Sequence, residues 1–98
     1  MSIDKSLKDQ IYFVIPAYNE EQSIEKVINS LNKHGYKNLI IIDDGSKDNT
    51  SKIVKKYCKK GVVLLEHIIN RGQGASLKAG IEYALKQHNC KYIVTFDS

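Results

Sequence analysis

The sequence predicts an α/β domain with a mostly parallel sheet and helices on both faces, three layers in all. Short, nearly all-apolar runs alternate with stretches of helical period in the order β-α-β-α-β-α-β. The connections are short, which favours parallel neighbours joined by crossover helices. The length of 98 residues allows one small domain, and 42% hydrophobic with 27% charged residues describes a chain that folds around a core.

Ile11–Pro16 (IYFVIP) is apolar at both phases of a strand, as burial on two faces requires. Asn19 is placed to cap the first helix, with Glu20 and Glu21 in its first turn and Gln22 at the capping-box position. Ile24, Val27, Ile28 and Leu31 follow at helical spacing, and Gly35 stops the helix. Leu39–Ile42 is the second strand, ended by Asp43-Asp44-Gly45-Ser46. Asp48 caps a second helix whose inner face carries Ile53, Val54, Tyr57 and Cys58, and Gly61 closes it. Val62–Leu65 is the third strand. The loop Glu66–Gln73 leads into a helix with Leu77, Ile81, Ala84 and Leu85 on one side, where Gly80 marks close packing on the sheet. Tyr92–Phe96 is the fourth strand, and Asp97-Ser98 ends the chain. Residues 1–10 read as a flexible tail ahead of a domain over 11–98.

Fifteen basic residues against eleven acidic ones give a net charge of +4. Arg71 is the single arginine, and the lysines are scattered rather than clustered, so nucleic-acid binding is not expected. No apolar run approaches the ~20 residues of a membrane span. The charged start MSIDKSLKDQ is not a secretion signal. Cys58 and Cys90 lack metal spacing and a disulfide framework, which suits a reduced cytoplasmic setting.

In open parallel sheets, ligands bind beyond the carboxyl ends of the strands. Glu20, Asp43, Asp44 and Asp97 all fall on that rim. Pro16-Ala17-Tyr18-Asn19-Glu20 offers a flat ring and a carboxylate directly after the first strand; alone, it equally reads as a turn and a helix cap. Asp43-Asp44-Gly45-Ser46 can divide its acids between the loop and a ligand, or form an Asx turn. Asn70-Arg71-Gly72-Gln73-Gly74-Ala75 lets backbone approach a ligand at a helix start, and Arg71 adds a fixed positive charge. The spacing is only superficially that of a dinucleotide fingerprint, because Leu77 stands where the third glycine belongs. His67 has no evident partner and reads as a surface residue.

Together these residues closely resemble the N-terminal half of family 2 glycosyltransferases of the GT-A fold. PAYNE, DDGSxDxT, NxGxGA and FDS occur in that family's order, from Ile11 to Ser98. The NRGQGA loop is most similar to the branch that moves sugars onto polyprenyl phosphates. The resemblance implies a Rossmann-like, truncated GT-A fold and transfer of a sugar, with inversion, from a nucleotide-diphosphate sugar. It implies that Pro16, Ala17, Tyr18, Glu20 and Asp44 hold the base and ribose, with Asp43 and Gly45 supporting. Arg71 and Gly74 join that nucleotide site. It also implies Mg²⁺ or Mn²⁺ on the donor diphosphate, with Asp97 as the first aspartate of a DxD motif whose second would be residue 99. Gln73 stands where many relatives have lysine. No catalytic base is expected within these residues, and the chain alone is expected to be inactive. The acceptor would be a polyprenyl phosphate at the cytoplasmic face of a membrane, or a growing polysaccharide.

Other readings compete. A receiver-like signalling module needs an aspartate after the third strand, where Glu66-His67-Ile68 stands. A sugar-nucleotidyltransferase needs a glycine-rich loop after the first strand, unlike Pro16–Glu20. A stand-alone nucleotide-binding or interaction module would keep the fold without catalysis. The expected strand order is 3-2-1-4, with an exposed fourth strand that invites self-association as a homodimer.

Overall fold

The first strand shows why both faces of the sheet are covered. In β1 (Ile11–Ala17), Phe13, Ile15 and Ala17 enter one apolar cluster, while Tyr12 and Val14 enter another. Side chains alternate across a strand, so apolar residues at both phases demand a layer on each side. β2 (Leu39–Asp44) repeats the pattern, with Leu39 and Ile41 on the first side and Ile40 and Ile42 on the second.

The computed structural model describes residues 4–96. Its other elements are α1 (Lys5–Lys8), α2 (Ile24–Lys33), α3 (Thr50–Lys55), a 3₁₀ turn at Cys58–Lys60, β3 (Val63–His67), α4 (Gln73–Leu85) and β4 (Tyr92–Thr95). The sheet runs β3-β2-β1-β4 with every neighbouring pair parallel, the order expected from the sequence. Ile24 and Ile28 of α2, Val54 of α3 and Tyr57 pack on the Phe13 side. Ala84, with Leu77 and Ile81 of α4, packs on the Val14 side. Tyr57 donates a short hydrogen bond from its hydroxyl to Glu25, joining the two helices of the first layer. No helix among the described residues is long and apolar enough to cross a membrane.

The structure corrects several element assignments. The helix after β1, α2, begins at Ile24, not beside Asn19, whose φ of +52° breaks the path of a helix. Asparagine tolerates that left-handed conformation better than most residues. Cys58 is exposed, because the chain leaves α3 for a 3₁₀ turn before reaching it. Leu85 is exposed too: the stripe seating α4 on the sheet is Ser76, Gly80 and Ala84, and Leu85 lies on its flank. The segment expected to be a tail carries the short helix α1, capped by Asp4, whose carboxylate accepts from the Leu7 N–H at 2.9 Å. Lys8 Nζ donates to the His34 carbonyl at 2.6 Å and Asn38 Nδ2 to the Asp9 carbonyl at 2.8 Å, so this segment is tied to the body.

Gly80 sets how closely α4 approaches the sheet. A Cβ there would stand 2.4 Å from Val14 Cγ1 and 2.6 Å from Ile42 Cδ1. Both residues are fully buried, and a valine is stiff at χ1, so neither can withdraw freely. Gly80→Ala should therefore lower stability by about 1–3 kcal/mol through overpacking. That cost exceeds the ~1 kcal/mol that alanine gains over glycine in a helix interior. Urea unfolding of the two proteins tests this, and a midpoint that stays or rises would show a core able to give way.

Candidate functional site

Two loops at the carboxyl edge are stitched together before any ligand is considered. The Asn19 N–H donates to Ser46 Oγ at 2.8 Å, and the Lys47 N–H donates back to Asn19 Oδ1 at 2.9 Å. The Glu20 N–H donates to Thr50 Oγ1 at 2.8 Å. Asp48 accepts from the Glu21 N–H and from both the N–H and hydroxyl of Thr50. The side chain expected to cap α2 thus holds the loop after β1 against the loop after β2. The N-cap position of α3 falls on Asn49 rather than Asp48, but Asp48 still accepts from the Thr50 N–H that opens the helix. The Glu20 carboxylate accepts from Ser23 Oγ at 2.9 Å, just ahead of α2.

The paired aspartates divide their work. Asp43 Oδ1 accepts from the Ser46 N–H at 3.0 Å and closes the turn after β2. Asp44, only 4% exposed, reaches the other way. Its Oδ1 accepts from the Arg71 N–H at 2.9 Å, and its Oδ2 from the Gly72 N–H at 2.8 Å. His67 Nδ1 lies 2.9 Å from the same Oδ1, because the parallel register sets His67 of β3 beside Asp44 of β2. His67 is therefore no lone surface histidine. Burial pushes the Asp44 carboxyl up, but the bonds from the Arg71 N–H, the His67 ring and the Gly72 N–H outweigh it, leaving the group below its ordinary 3.8. Gly45 (φ +78°) lets the same loop pass: a Cβ there would lie 2.7 Å from both the Asn70 nitrogen and the Ile69 carbonyl carbon.

This arrangement opens a cleft of about 200 Å³ lined by Pro16, Ala17, Tyr18, Asp44, Asn70, Gly72, Gln73 and Ser76. It sits above β1 and the start of α4. There the strand order reverses, since the chain moves from β1 outward to β3 and then returns to place β4 on the other side. Of the residues singled out in the sequence, Pro16, Ala17, Tyr18 and Asp44 meet here. Glu20 borders an adjacent, more apolar groove with Ile15, Ile24, Val27 and Phe96. Asp43 and Gly45 act from within the loop, and Arg71 lines another depression with His67, Lys78 and Glu82. Gly74 is not on the cleft wall, and the space beside it is open. Asn70, Gly72 and Gln73 of the loop singled out in the sequence also line the cleft, whereas Ser76 went unnoticed, since it carries no signal until helix and sheet are brought together. Asp97 lies outside the described residues. Among the described residues, no group of three or more His, Cys, Asp or Glu side chains is placed to hold a metal ion.

The sequence matches Glycosyl transferase family 2 over residues 12–98. It is 39% identical over 102 residues to a UDP-N-acetylglucosamine–dolichyl-phosphate N-acetylglucosaminyltransferase of Methanococcus voltae, covering 90% of this chain and 40% of that protein. It is 35% identical over 94 residues to the dolichyl-phosphate beta-glucosyltransferase of Homo sapiens, covering 82% of this chain and 29% of that one. Among solved structures, S. aureus TarS 1-349 in complex with UDP superposes with a TM-score of 0.76 at 26% identity, over 91% of this chain and 27% of that chain. The fold is thus that of TarS 1-349 over the matched part, and the chain spans 40% or less of the length of each of these relatives.

The Asp44 linkage has a pH signature. A carboxylate depressed in the folded state contributes stability that is complete above its unfolded value and is lost as pH falls through the folded one. Asp44 should therefore contribute fully above about pH 4 and progressively less below it. In Asp44→Asn one oxygen is replaced by an NH₂ that cannot accept, leaving a buried N–H unpaired at a cost of roughly 1–3 kcal/mol. Urea unfolding from pH 3 to pH 7 should show the variant less stable at neutral pH and with a flatter acid limb. Parallel profiles for the two proteins would contradict the linkage.

Proposed function

The chain belongs to glycosyl transferase family 2, and from that membership we propose that its cleft holds the nucleoside diphosphate of a sugar donor, UDP above all. The observation that carries this reading is a concave site at the sheet's reversal point, walled by an aromatic ring and a buried carboxylate. The TarS structure in complex with UDP and the UDP-sugar transferase of Methanococcus voltae support it.

In this reading Pro16 and Ala17 form the floor, and the half-exposed Tyr18 ring stacks on the base. A carboxylate has about four lone-pair sites. Asp44 uses three within the protein and keeps one for a base N–H. Asp43 and Gly45 hold the loop in place. Glu20, at the neighbouring groove, reaches the ribose, and Arg71 and Gly74 stand on the diphosphate side. Asp97 would hold a divalent cation, Mg²⁺ or Mn²⁺, which would offset charge on the departing nucleotide. The chain's residues then bind and orient the donor; none is proposed as the catalytic base. In the whole protein the sugar passes, with inversion, to a polyprenyl phosphate at the cytoplasmic face of a membrane. Names of relatives that act on dolichyl phosphate support that acceptor. A second copy pairing along β4, where Tyr92 is 56% and Val94 39% exposed, accounts for the expected self-association.

Calorimetry should show that the chain binds UDP and that Tyr18→Ala weakens it about tenfold or more, since base–aromatic stacking is worth roughly 1–3 kcal/mol. Tyr18 is exposed enough that its loss leaves the core intact. Absence of any UDP binding by the unmodified chain would sink the reading. Labelled UDP-sugar supplied with dolichyl phosphate should yield no labelled lipid from this chain alone; product would place the whole reaction within it.

A further inference from the structure

Two isoleucines stand in solvent at the carboxyl edge of the sheet. Ile68 is 99% exposed and Ile69 70%, side by side at the bend that follows β3. Single exposed hydrophobics are ordinary, but an adjacent pair at a loop tip is an apolar point that folding does not use. The backbone beneath them is held. Asp44 accepts from the Arg71 and Gly72 N–H groups after the pair, and β3 ends at His67 just before it. The Ile69 backbone also passes so close to Gly45 that a Cβ there would lie 2.7 Å from its carbonyl carbon. A fixed backbone keeps both side chains pointed outward. Beside the tip, Arg71 and Lys78 outnumber Glu82 in a depression they share with His67, so its charge is net positive. The acid preceding His67, Glu66, is offset by Lys55 at 3.4 Å.

We propose that the Ile68–Ile69 tip docks on an anionic lipid surface, its two side chains entering the headgroup boundary while Arg71 and Lys78 meet the lipid phosphates. Interfacial binding grows with the apolar area buried and with attraction to anionic lipids. The tip supplies the first and its basic flank the second. Long basic side chains bury their stems and keep their charges in water, so the isoleucines can sit deeper than the cations beside them. A protein partner fits less well: a specific interface takes roughly 20 residues a side, whereas this point offers two apolar side chains. The inference goes beyond the donor site and stands on the loop alone; the lipid-linked acceptor proposed above agrees with it. Docked this way, the edge that carries Asp44 and Asn70 lies next to the bilayer.

The chain has no tryptophan, so Ile68→Trp places a single fluorescent reporter at the tip. Its emission should shift to the blue with vesicles of phosphatidylcholine and phosphatidylglycerol. The shift should shrink with phosphatidylcholine alone or in high salt, where the charge attraction is screened. In cosedimentation the unmodified chain should bind the mixed vesicles, and Ile68→Ser combined with Ile69→Ser should weaken binding roughly three- to tenfold. The melting midpoint and UDP affinity of that double variant should match those of the unmodified chain, because neither side chain is packed. Lys78→Gln should weaken vesicle binding by a smaller factor. No blue shift on the mixed vesicles, or a double variant that binds them as tightly as the unmodified chain, would overturn the inference. Light scattering that finds a vesicle-free dimer abolished in the double variant would assign the tip to a second copy and overturn it too. Docking on vesicles by a chain that binds no UDP would support the inference and sink the nucleotide reading alone.

Discussion

One buried carboxylate organises the functional edge of this domain. Asp44 ends β2 and gathers the Arg71 and Gly72 amides and the His67 ring around itself. Those three groups come from β3 and from the loop that follows it, so a single side chain fixes where α4 begins. Buried backbone N–H groups must find acceptors. Here a side chain supplies them, because the loop after β3 has left the sheet and has no strand to pair with. Everything on the far wall of the cleft inherits its position from this bond set.

The sheet makes that arrangement possible. Parallel pairing in register brings Ala17 beside Asp43 and Asp44 beside His67, so the carboxyl ends of three strands finish together. Apolar residues at both phases of β1 and β2 recruit helices to both faces, and Gly80 lets α4 lie low enough for its start to border the cleft. Packing and chemistry thus meet on one helix: its small-residue stripe is core at Gly80 and Ala84 and cleft wall at Ser76.

The fold was legible in the sequence because its signal is periodic. Alternating apolar runs and helical stretches specify the layers, and the strand order follows. The site was legible only in part. Pro16, Ala17, Tyr18 and Asp44 stand at or just past strand ends, where position alone marks them as candidates. Asn19 was misread as a cap because its partners, Ser46 and Lys47, lie far along the chain. His67 was misread for the same reason, since its role depends on strand register. Ser76 looks like any small helical residue until its surroundings are known. Cys58 and Leu85 fell on helical spacing, but a 3₁₀ turn and the helix flank took them out of the core. Local pattern captures elements, and long-range hydrogen bonds decide which side chains line the cleft.

The stitching between the loops after β1 and β2 bears on the thermodynamics of association. Binding ordinarily spends part of its free energy on freezing mobile loops and rotamers. Asn19, Glu20 and Glu21 are already bonded to Ser46, Lys47, Asp48 and Thr50, so that entropy has been lost during folding instead. A small molecule entering this edge meets a preorganised wall and need not assemble it. Differences in affinity among such molecules would then reside chiefly in how fast they leave.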